Sequence, residues 1–260
     1  MSEAVDPSDP FLIETRGLCR DFDQVHAVQG LDLRVKGGEI YGFLGPNGAG
    51  KTTTIRMLSG LLRPSKGEIR IGGHDAATEA HRIRRLTGYL PDTVPLYEYL
   101  TGRQFFSFLT SLYEIPAHVR DSEAERLLGM LDLADRADDL CKGYSHGMRK
   151  KLYLAAVIAT HPKLLLLDEP TSGLDPRSAR RLKDLLIAMR GTGTTIFLST
   201  HLLPTAEEVC DRVGILSGGR LLAEGSMDQL RSLRGERSLE EIFLRLTEEA
   251  TTEDALPASS

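Results

Sequence analysis

The sequence predicts an α/β fold built on a parallel sheet, with an N-terminal antiparallel β subdomain and an α-helical insert subdomain. Three observations support this fold class. A glycine-rich loop at residues 45–53 stands between an apolar strand and a helix-compatible run. An apolar strand at residues 164–167 ends in two acidic residues, and another at residues 195–199 ends close to a histidine. Short apolar runs of this kind are typical of buried parallel strands, and the carboxyl edge of such a sheet binds ligands.

The N-terminal part of the chain is rich in predicted strands. Residues 11–14 resemble a strand, and apolar and polar residues alternate over residues 31–35, as in a half-buried strand. Residues 68–73 predict a further strand and turn. Phe22 lies in this part and has two interpretations, because it is either a core residue or an aromatic that stacks on a flat base.

The glycine-rich loop fits the phosphate-binding pattern G-x-x-x-x-G-K-[ST]. Glycines let the backbone curl so that successive N–H groups point at one anion, and the following helix directs its N-terminus to the same place. Lys51 is expected to reach the β- and γ-phosphates, and the Thr52 hydroxyl to ligate Mg²⁺. A glycine-rich connecting loop without a ligand is the alternative. The predicted binding residues are Gly45, Pro46, Asn47, Gly48, Ala49, Gly50, Lys51, Thr52 and Thr53.

Helical patterns dominate from about residue 98. The capping-box pattern, a serine or threonine three residues before a glutamate or glutamine, predicts where helices begin. It occurs at Thr101, Ser122, Thr205, Ser226 and Ser238. The first two of these predict a small helical insert, and the last three predict helices near the C-terminus. Residues 213–222 are typical of a β-hairpin.

Composition limits the classes of function. Hydrophobic residues make up 41% of the 260 residues, which is sufficient for a core, and the net charge is −5. No global field therefore attracts nucleic acid, and no nucleic acid partner is expected. The three cysteines are scattered and are interpreted as idle thiols. Because no stretch approaches ~18 uninterrupted apolar residues, a membrane role requires a partner.

Five motifs follow one another in a fixed order. They are the phosphate loop, Tyr-Ser-His-Gly-Met at residues 144–148, the strand with its acids at 164–169, Ser-Gly-Leu-Asp at 172–175, and His201. In this order they resemble the ATP-binding subunit of an ABC transporter over residues 11–246. The resemblance implies a P-loop NTPase core that hydrolyses ATP, with a helical subdomain at about residues 98–160. Flexible tails are expected at residues 1–10 and 247–260.

The acidic and histidine positions have chemical roles that agree with this resemblance. Asp168 is expected to hold Mg²⁺, through water, and the neighbouring Glu169 to orient and polarise the attacking water. His201 is expected to contact the γ-phosphate and position the water. Glu169, His201 and Lys51 are therefore the predicted catalytic residues. A structural salt bridge at Glu169 and a structural histidine at His201 are the alternatives.

The segment at residues 144–148 resembles the family signature. Ser145 is expected to cap a helix over residues 146–158, and Gly147 to let a phosphate approach. The resemblance implies that both contact a nucleotide bound to the opposite protomer, and that Asp175 crosses the dimer interface. Each motif occurs once, so the chain holds one half of each of two ATP sites. It is expected to pair with a second copy of itself or a paralogous ATPase subunit.

The sequence departs from the family pattern in two places. The usual signature is L-S-G-G-Q, and here Tyr144, His146 and Met148 replace three of its residues. We hypothesise that His146 titrates near the γ-phosphate. Asp92 stands where the family has a glutamine, and as a carboxylate it is expected to ligate Mg²⁺. The position of Phe22 matches the aromatic residue that stacks on adenine in the family.

Residues 88–92 and 239–247 resemble bacterial ABC exporters whose ATPase and permease are separate polypeptides. This implies a cytoplasmic protein that is peripheral on the inner face of the membrane through an integral permease, which chooses the cargo. The alternative is a soluble ABC ATPase without a permease, acting in translation, iron–sulfur assembly or chromosome maintenance. A generic P-loop kinase or GTPase does not explain the segment at 144–148 or His201.

Overall fold

The computed structural model of the protein describes residues 11–234 and 238–255. The expected tail at residues 1–10 lies outside the described residues. The strands are β1 (Phe11–Phe22), β2 (Val25–Lys36), β3 (Ile40–Leu44), β4 (Lys66–Ile71), β5 (His74–Asp75), β6 (Thr87–Leu90), β7 (Leu164–Asp168), β8 (Thr195–Thr200), β9 (Arg212–Ser217) and β10 (Arg220–Gly225). The α-helices are α1 (Lys51–Leu58), α2 (Ala80–Leu86), α3 (Gly102–Ser111), α4 (Ala117–Met130), α5 (His146–Ile158), α6 (Pro176–Gly191), α7 (Leu203–Val209), α8 (Met227–Arg234) and α9 (Leu239–Ala255).

A six-stranded sheet carries the predicted functional strands. Its order is β10-β9-β3-β8-β7-β6, with β10 and β9 antiparallel and the other neighbours parallel. Every residue of β3, β7 and β8 is buried. This explains the continuous apolar runs in their sequences, because both faces of a parallel sheet are covered. The predicted parallel sheet is confirmed.

A four-stranded antiparallel sheet, in the order β2-β1-β4-β5, forms the N-terminal part. Leu31, Leu33 and Val35 are buried and alternate with exposed residues, as the sequence pattern predicts. β1 and β2 are longer than predicted and form one hairpin that joins at Phe22 and Val25. One apolar cluster, which includes Phe43, Ile55 and Phe197, fills the space between this sheet and the six-stranded sheet. The predicted antiparallel subdomain is confirmed.

Helices α3, α4 and α5 form the helical insert. Phe105 and Phe106 of α3, Leu127 of α4 and Leu152 of α5 are all buried in one apolar cluster. The same cluster continues beneath the six-stranded sheet through residues such as Leu165. The aromatic residues of α3 therefore form core, and the insert is packed firmly against the strands that carry the acids.

Two of the five predicted helix starts are wrong. Thr101 forms a complete capping box with Gln104, and Ser226 and Ser238 make the corresponding hydrogen bonds at the starts of α8 and α9. Ser122, by contrast, lies within α4, which begins directly after Pro116. Thr205 lies within α7, where Pro204 occupies the first turn. Pro116 is the N-cap of α4 and Pro204 lies in the first turn of α7, where proline is favoured, so each helix begins earlier than the capping pattern indicates.

The C-terminal elements close the far side of the six-stranded sheet. Leu44 of β3, Ala206 of α7 and Leu239 and Ile242 of α9 belong to one buried cluster. Helix α9 extends to Ala255, so residues 247–255 continue a helix instead of beginning the expected tail. Glutamate and alanine, which favour helix, are frequent in this segment. In the described ranges, no helix has both the length and the apolar content needed to span a membrane.

Candidate functional site

Three neighbouring strands bring the predicted functional segments to one edge of the sheet. Leu44, the last residue of β3, pairs with Thr200, and Asp168 at the end of β7 pairs with Ser199. The phosphate loop, the acids and His201 therefore follow strands that end side by side. β6 extends the same edge on the other side of β7 and leads to Asp92.

The phosphate loop is held closely by its surroundings. Gly50 has φ +103°, a conformation that other residues rarely adopt, and a Cβ atom there would lie 2.3 Å from the carbonyl oxygen of Ala27. A Cβ atom on Gly45 would lie 2.4 Å from the carbonyl oxygen of Leu216. Gly50 is the N-cap of α1 and provides no side-chain cap. The first N–H groups of this helix are consequently left to an anion.

Lys51 is folded back onto its own loop. Its ammonium group donates hydrogen bonds to the carbonyl oxygens of Gly45 (2.6 Å) and Pro46 (3.0 Å), and lies 3.8 Å from Oε1 of Glu169. Burial lowers the pKa of Lys51, and the carboxylates of Glu169 and Asp168 oppose this shift. The lysine is thus a buried cation positioned beside the acids and between the loop carbonyls.

The two acids at the end of β7 each have one oxygen without a partner. Ser199 donates a hydrogen bond to Oδ1 of Asp168 (2.6 Å), and His201 Nδ1 lies 2.9 Å from Oε1 of Glu169. Oδ2 of Asp168 and Oε2 of Glu169 are buried and have no hydrogen-bond partner among the described residues. A buried polar atom without a partner is costly, so each of these oxygens fits a ligand, ion or water that satisfies it.

This donor set is compatible with Mg²⁺. Magnesium is usually held by one or two carboxylates together with substrate phosphates and water. Asp168 offers the unpartnered oxygen, and the Thr52 hydroxyl is at the start of α1 beside Lys51. Among the described residues no group of three or more His, Cys, Asp and Glu side chains is arranged to hold a metal. Asp168 and Thr52 would supply protein ligands, and a phosphate-bearing ligand and water would complete the set.

A cavity of about 640 Å³ covers the phosphate loop. Its volume is in the range of small-molecule sites. The lining residues that the sequence predicted are Asn47, Gly48, Gly50, Lys51, Thr52, Thr53, Asp92 and Glu169. The lining residues that it missed are Val25, His26, Ala27, Gln29, Gly218 and Arg220. The missed residues come from the β1–β2 hairpin and the β9–β10 turn, which meet where the N–H of Gln29 donates to the carbonyl of Gly219.

Phe22 lies at the rim of this site. Its side chain is 42% exposed, which excludes the interpretation as a core residue. The Arg20 guanidinium lies over its ring, 4.4 Å from the centroid. Phe22 pairs across the hairpin with the cavity-lining Val25 but does not itself line the cavity. The position is compatible with an aromatic that stacks on the base of a bound nucleotide.

Ser145, Gly147 and Asp175 do not line the cavity. Ser145 caps α5 over the predicted range, its Oγ accepting the N–H of Met148 (3.3 Å). Asp175 caps α6 by accepting the N–H and the hydroxyl of Ser178, and the hydroxyl is the main cause of its lowered pKa. The His146 ring packs against Gly173. These residues form a second surface in the same chain, apart from the phosphate loop.

Comparison with known proteins agrees with this geometry. A family model described as ABC transporter matches residues 28–172. The chain is 42% identical over 223 residues to the daunorubicin resistance ATP-binding protein DrrA3 of Streptomyces coeruleorubidus, a match over 86% of this chain and 71% of that protein. It is 39% identical over 228 residues to a fluoroquinolones export ATP-binding protein of Mycobacterium tuberculosis, over 87% of this chain and 74% of that protein.

A solved structure described as the ATP binding subunit of an ABC transporter has a similar fold. The TM-score is 0.85 at 33% sequence identity, and the match covers 91% of this chain and 99% of that chain. The similarity therefore extends over both sheets and the helical insert, and beyond the segment that the family model matches.

Proposed function

The chain belongs to the ABC transporter family of ATP-binding proteins, and we propose that it is the ATP-hydrolysing subunit of an exporter whose permease is a separate polypeptide. The observation that carries the proposal is that Lys51 of the phosphate loop, Asp92 and Glu169 line the same cavity. The relatives named for drug resistance and drug export favour an exporter over an ABC ATPase that works without a permease. The permease would choose the cargo.

ATP is proposed to bind with its phosphates in the loop and its base toward the β1–β2 hairpin. The loop N–H groups and the start of α1 would hold the β- and γ-phosphates, and Lys51 would exchange its loop carbonyls for phosphate oxygens. The open face of Phe22 would stack on the base. Gln29 and Arg220, which are hydrogen-bonded to each other at 3.2 Å, would border the ligand between these two ends.

Glu169 is proposed to be the residue that prepares water for attack on the γ-phosphate. Its free oxygen, Oε2, would accept a proton from that water, while the bond from His201 fixes the direction of the carboxylate. Asp168, held by Ser199, would with Thr52 hold Mg²⁺, which neutralises charge on the phosphates when bound. Asp92 would reach the ion through the oxygen that it does not use for an ion pair with Lys150.

We propose that two copies, or one copy and a paralogous subunit, form the working unit. Ser145 and Gly147 lie at the exposed N-terminus of α5 and do not line the cavity of their own chain. A helix N-terminus with a serine cap is suited to a phosphate. Each signature would therefore contact the γ-phosphate of the nucleotide bound to the opposite copy, and ATP would be enclosed between them.

The permease is proposed to dock in a groove between α3 and the end of α1. This groove, of about 280 Å³, is lined by Leu61, Tyr89, Leu109, Leu112 and Tyr113 among others. Leu61 and Leu112 line the same groove and are each 66% exposed. Exposed apolar side chains that lie together mark interaction sites. Tyr89 is on β6, three residues before Asp92, so a helix seated in this groove would bear on the loop that enters the nucleotide cavity.

Purification of the full chain from membranes tests this proposal. The chain should bring an integral membrane protein with it, and Leu61→Glu together with Leu112→Glu should weaken that association at least tenfold, because charge is buried poorly in an apolar groove. Ile187→Glu, which changes an exposed apolar residue on α6, is the control and should leave it unchanged. Recovery of the chain only from the soluble fraction, with ATPase activity intact, would favour an ATPase without a permease.

A further inference from the structure

Lys150 is a lysine that the sequence pattern did not single out. It lies on α5, five residues after the capping Ser145, and its side chain is only 1% exposed. A lysine is rarely this buried unless its ammonium group is fully paired. Its Nζ donates to three acceptors: the carbonyl oxygen of Glu169 (2.8 Å), the carbonyl oxygen of Ser172 (3.2 Å) and Oδ1 of Asp92 (3.1 Å). One ammonium group thus joins three segments of the site.

The first two bonds hold the backbone that carries the catalytic acid. Glu169 has φ +48°, in the left-handed region that a residue with a side chain seldom occupies. Its N–H donates to the carbonyl of Ser199 (3.1 Å), and its carbonyl accepts from Lys150. Hydrogen bonds therefore hold both the N–H and the carbonyl of this residue. They stabilise an unfavourable backbone conformation, and that conformation sets the direction of the carboxylate.

The third bond reaches a different kind of segment. The Asp92 side chain is 53% exposed and lies on the loop between β6 and α3, and the same residue lines the nucleotide cavity. The hydrogen bond therefore connects an exposed carboxylate on a loop to a buried ammonium group. Movement of the Asp92 loop would change the third partner of Lys150 while its two carbonyl bonds remain.

We propose that Lys150 is a positioning residue that holds Glu169 in its reactive direction and links that direction to the position of the Asp92 loop. The inference rests on the proposed function, because it assumes that Glu169 prepares the attacking water. Lys150 does not line the nucleotide cavity. Its loss should therefore reduce kcat while the affinity for nucleotide stays the same, and Asp92 and Lys150 should behave as one unit.

Steady-state ATP hydrolysis and fluorescent nucleotide binding by the full chain test the first part. Lys150→Met keeps the length and removes all three bonds, and is expected to lower kcat by about 10- to 100-fold through misplacement of Glu169. KM for MgATP and the nucleotide Kd should change by less than about twofold. Lys183→Met, which removes a lysine ion pair to Glu208 away from the site, is the matched control and should keep wild-type kcat.

A double-mutant cycle tests the link to the loop. Asp92→Asn keeps the shape of the side chain and removes its charge. If Lys150 and Asp92 act together, kcat of the double variant should match that of the worse single variant. A double variant whose loss equals the product of the two single losses would refute the link. If Lys150→Met does not fold, Lys150→Gln, which retains N–H donors, replaces it and should show a smaller kcat loss in the same direction.

The outcomes separate the two proposals. Wild-type kcat in folded Lys150→Met would overturn the role of Lys150 and leave the ATPase proposal intact. A loss of nucleotide affinity equal to the loss of kcat would also overturn it, because a positioning residue outside the cavity should not contribute to binding. A wild-type chain, with its membrane partner, that binds ATP and never hydrolyses it would refute the proposed function and, with it, the role of Lys150.

Discussion

Burial of Lys51 disfavours its charged form more than the nearby carboxylates favour it. Burial lowers its pKa in the folded protein. Between that lowered pKa and the ordinary lysine value of 10.5, the unfolded chain binds more protons than the folded chain, so raising the pH stabilises the fold. The buried charge of Lys51 therefore lowers the free energy of unfolding, while it provides a cation at the phosphate loop.

Comparing Lys51→Met with wild type measures this cost. In urea unfolding without nucleotide, the stability of wild type relative to the variant should increase as the pH is raised from the lowered pKa of Lys51 toward 10.5. The affinity of wild type for ATP should fall over the same interval, because the loop loses its cation. A stability difference that is constant with pH would show that burial does not act on the Lys51 charge.

Glu169 leads to a second residue-level expectation. Glu169→Gln removes the proton acceptor and keeps the shape of the side chain, so ATP hydrolysis should fall by about 10²-fold or more while ATP still binds. Glu208→Gln, in an acid on α7 that pairs with Lys183 and Arg180, is the control and should retain wild-type hydrolysis. Hydrolysis at more than a tenth of the wild-type rate in Glu169→Gln would assign the water to another base.

At the same scale, the sequence identified the residues that their neighbours in sequence position, and it missed those that are positioned by packing between distant segments. Lys51, Asp168 and Glu169 are recognisable because their neighbours in sequence form the loop or strand that positions them. Nothing local separates Lys150 from Arg149 or Lys151, since only the packing of α5 against β7 and the Asp92 loop buries it. Gln29 of β2 and Arg220 at the start of β10 are likewise brought together at the cavity by strands that are distant in sequence.

At the scale of elements, the capping-box pattern shows the limits of local prediction. At Thr101, Ser226 and Ser238 nothing competes with the pattern, and a helix begins there. At Ser122 a proline six residues earlier has already started the helix, and the serine hydroxyl donates to the carbonyl of Val119 instead. The rest of the fold class was predictable because the strands of the central sheet are short, apolar and followed by polar motifs.

Within the helical insert, Tyr144 joins the segment after α4 to the start of α5. Its hydroxyl donates to the carbonyl of Arg136 (2.6 Å), and burial, helped by Cys141 and Asp139, raises its pKa to about 12. Tyr144→Phe should lower the free energy of unfolding by about 1 kcal/mol, measured in urea, and leave kcat within about twofold of wild type. Tyr99→Phe, in an 83% exposed tyrosine, should leave stability unchanged. A large loss of kcat in Tyr144→Phe would mean that this tyrosine acts in the signature itself.

For the whole molecule, the separation of the phosphate loop from the signature predicts complementation between defective chains. Lys51→Met and Ser145→Arg should each abolish hydrolysis alone, because each damages both sites of a symmetric pair. In a mixed pair, one site combines an intact Lys51 with an intact Ser145. Mixing the two variants should therefore restore roughly a quarter of wild-type ATPase activity, if pairing is random and the sites act independently.

Chromatography of Glu169→Gln with ATP provides the matching physical test. This variant should elute as a dimer with ATP and as a monomer without it. Addition of Ser145→Arg to the same chain should prevent the dimer while fluorescent ATP still binds the monomer. Absence of dimer in Glu169→Gln at saturating ATP would contradict the sandwich arrangement.

The order of strands also governs how the protein is made. Within the described residues, β3, which leads into the phosphate loop, pairs with β8 and β9, which are made much later, since Ile40 lies opposite Ile196 and Tyr41 opposite Arg212. At ~5–20 residues per second, a nascent chain waits on the order of ten seconds between the synthesis of β3 and that of its neighbours. During that time the apolar β3 lacks the two strands that flank it in the folded sheet. Expression of this protein should therefore depend on chaperones that bind nascent chains, and slower translation of the segment between these strands should prolong that dependence.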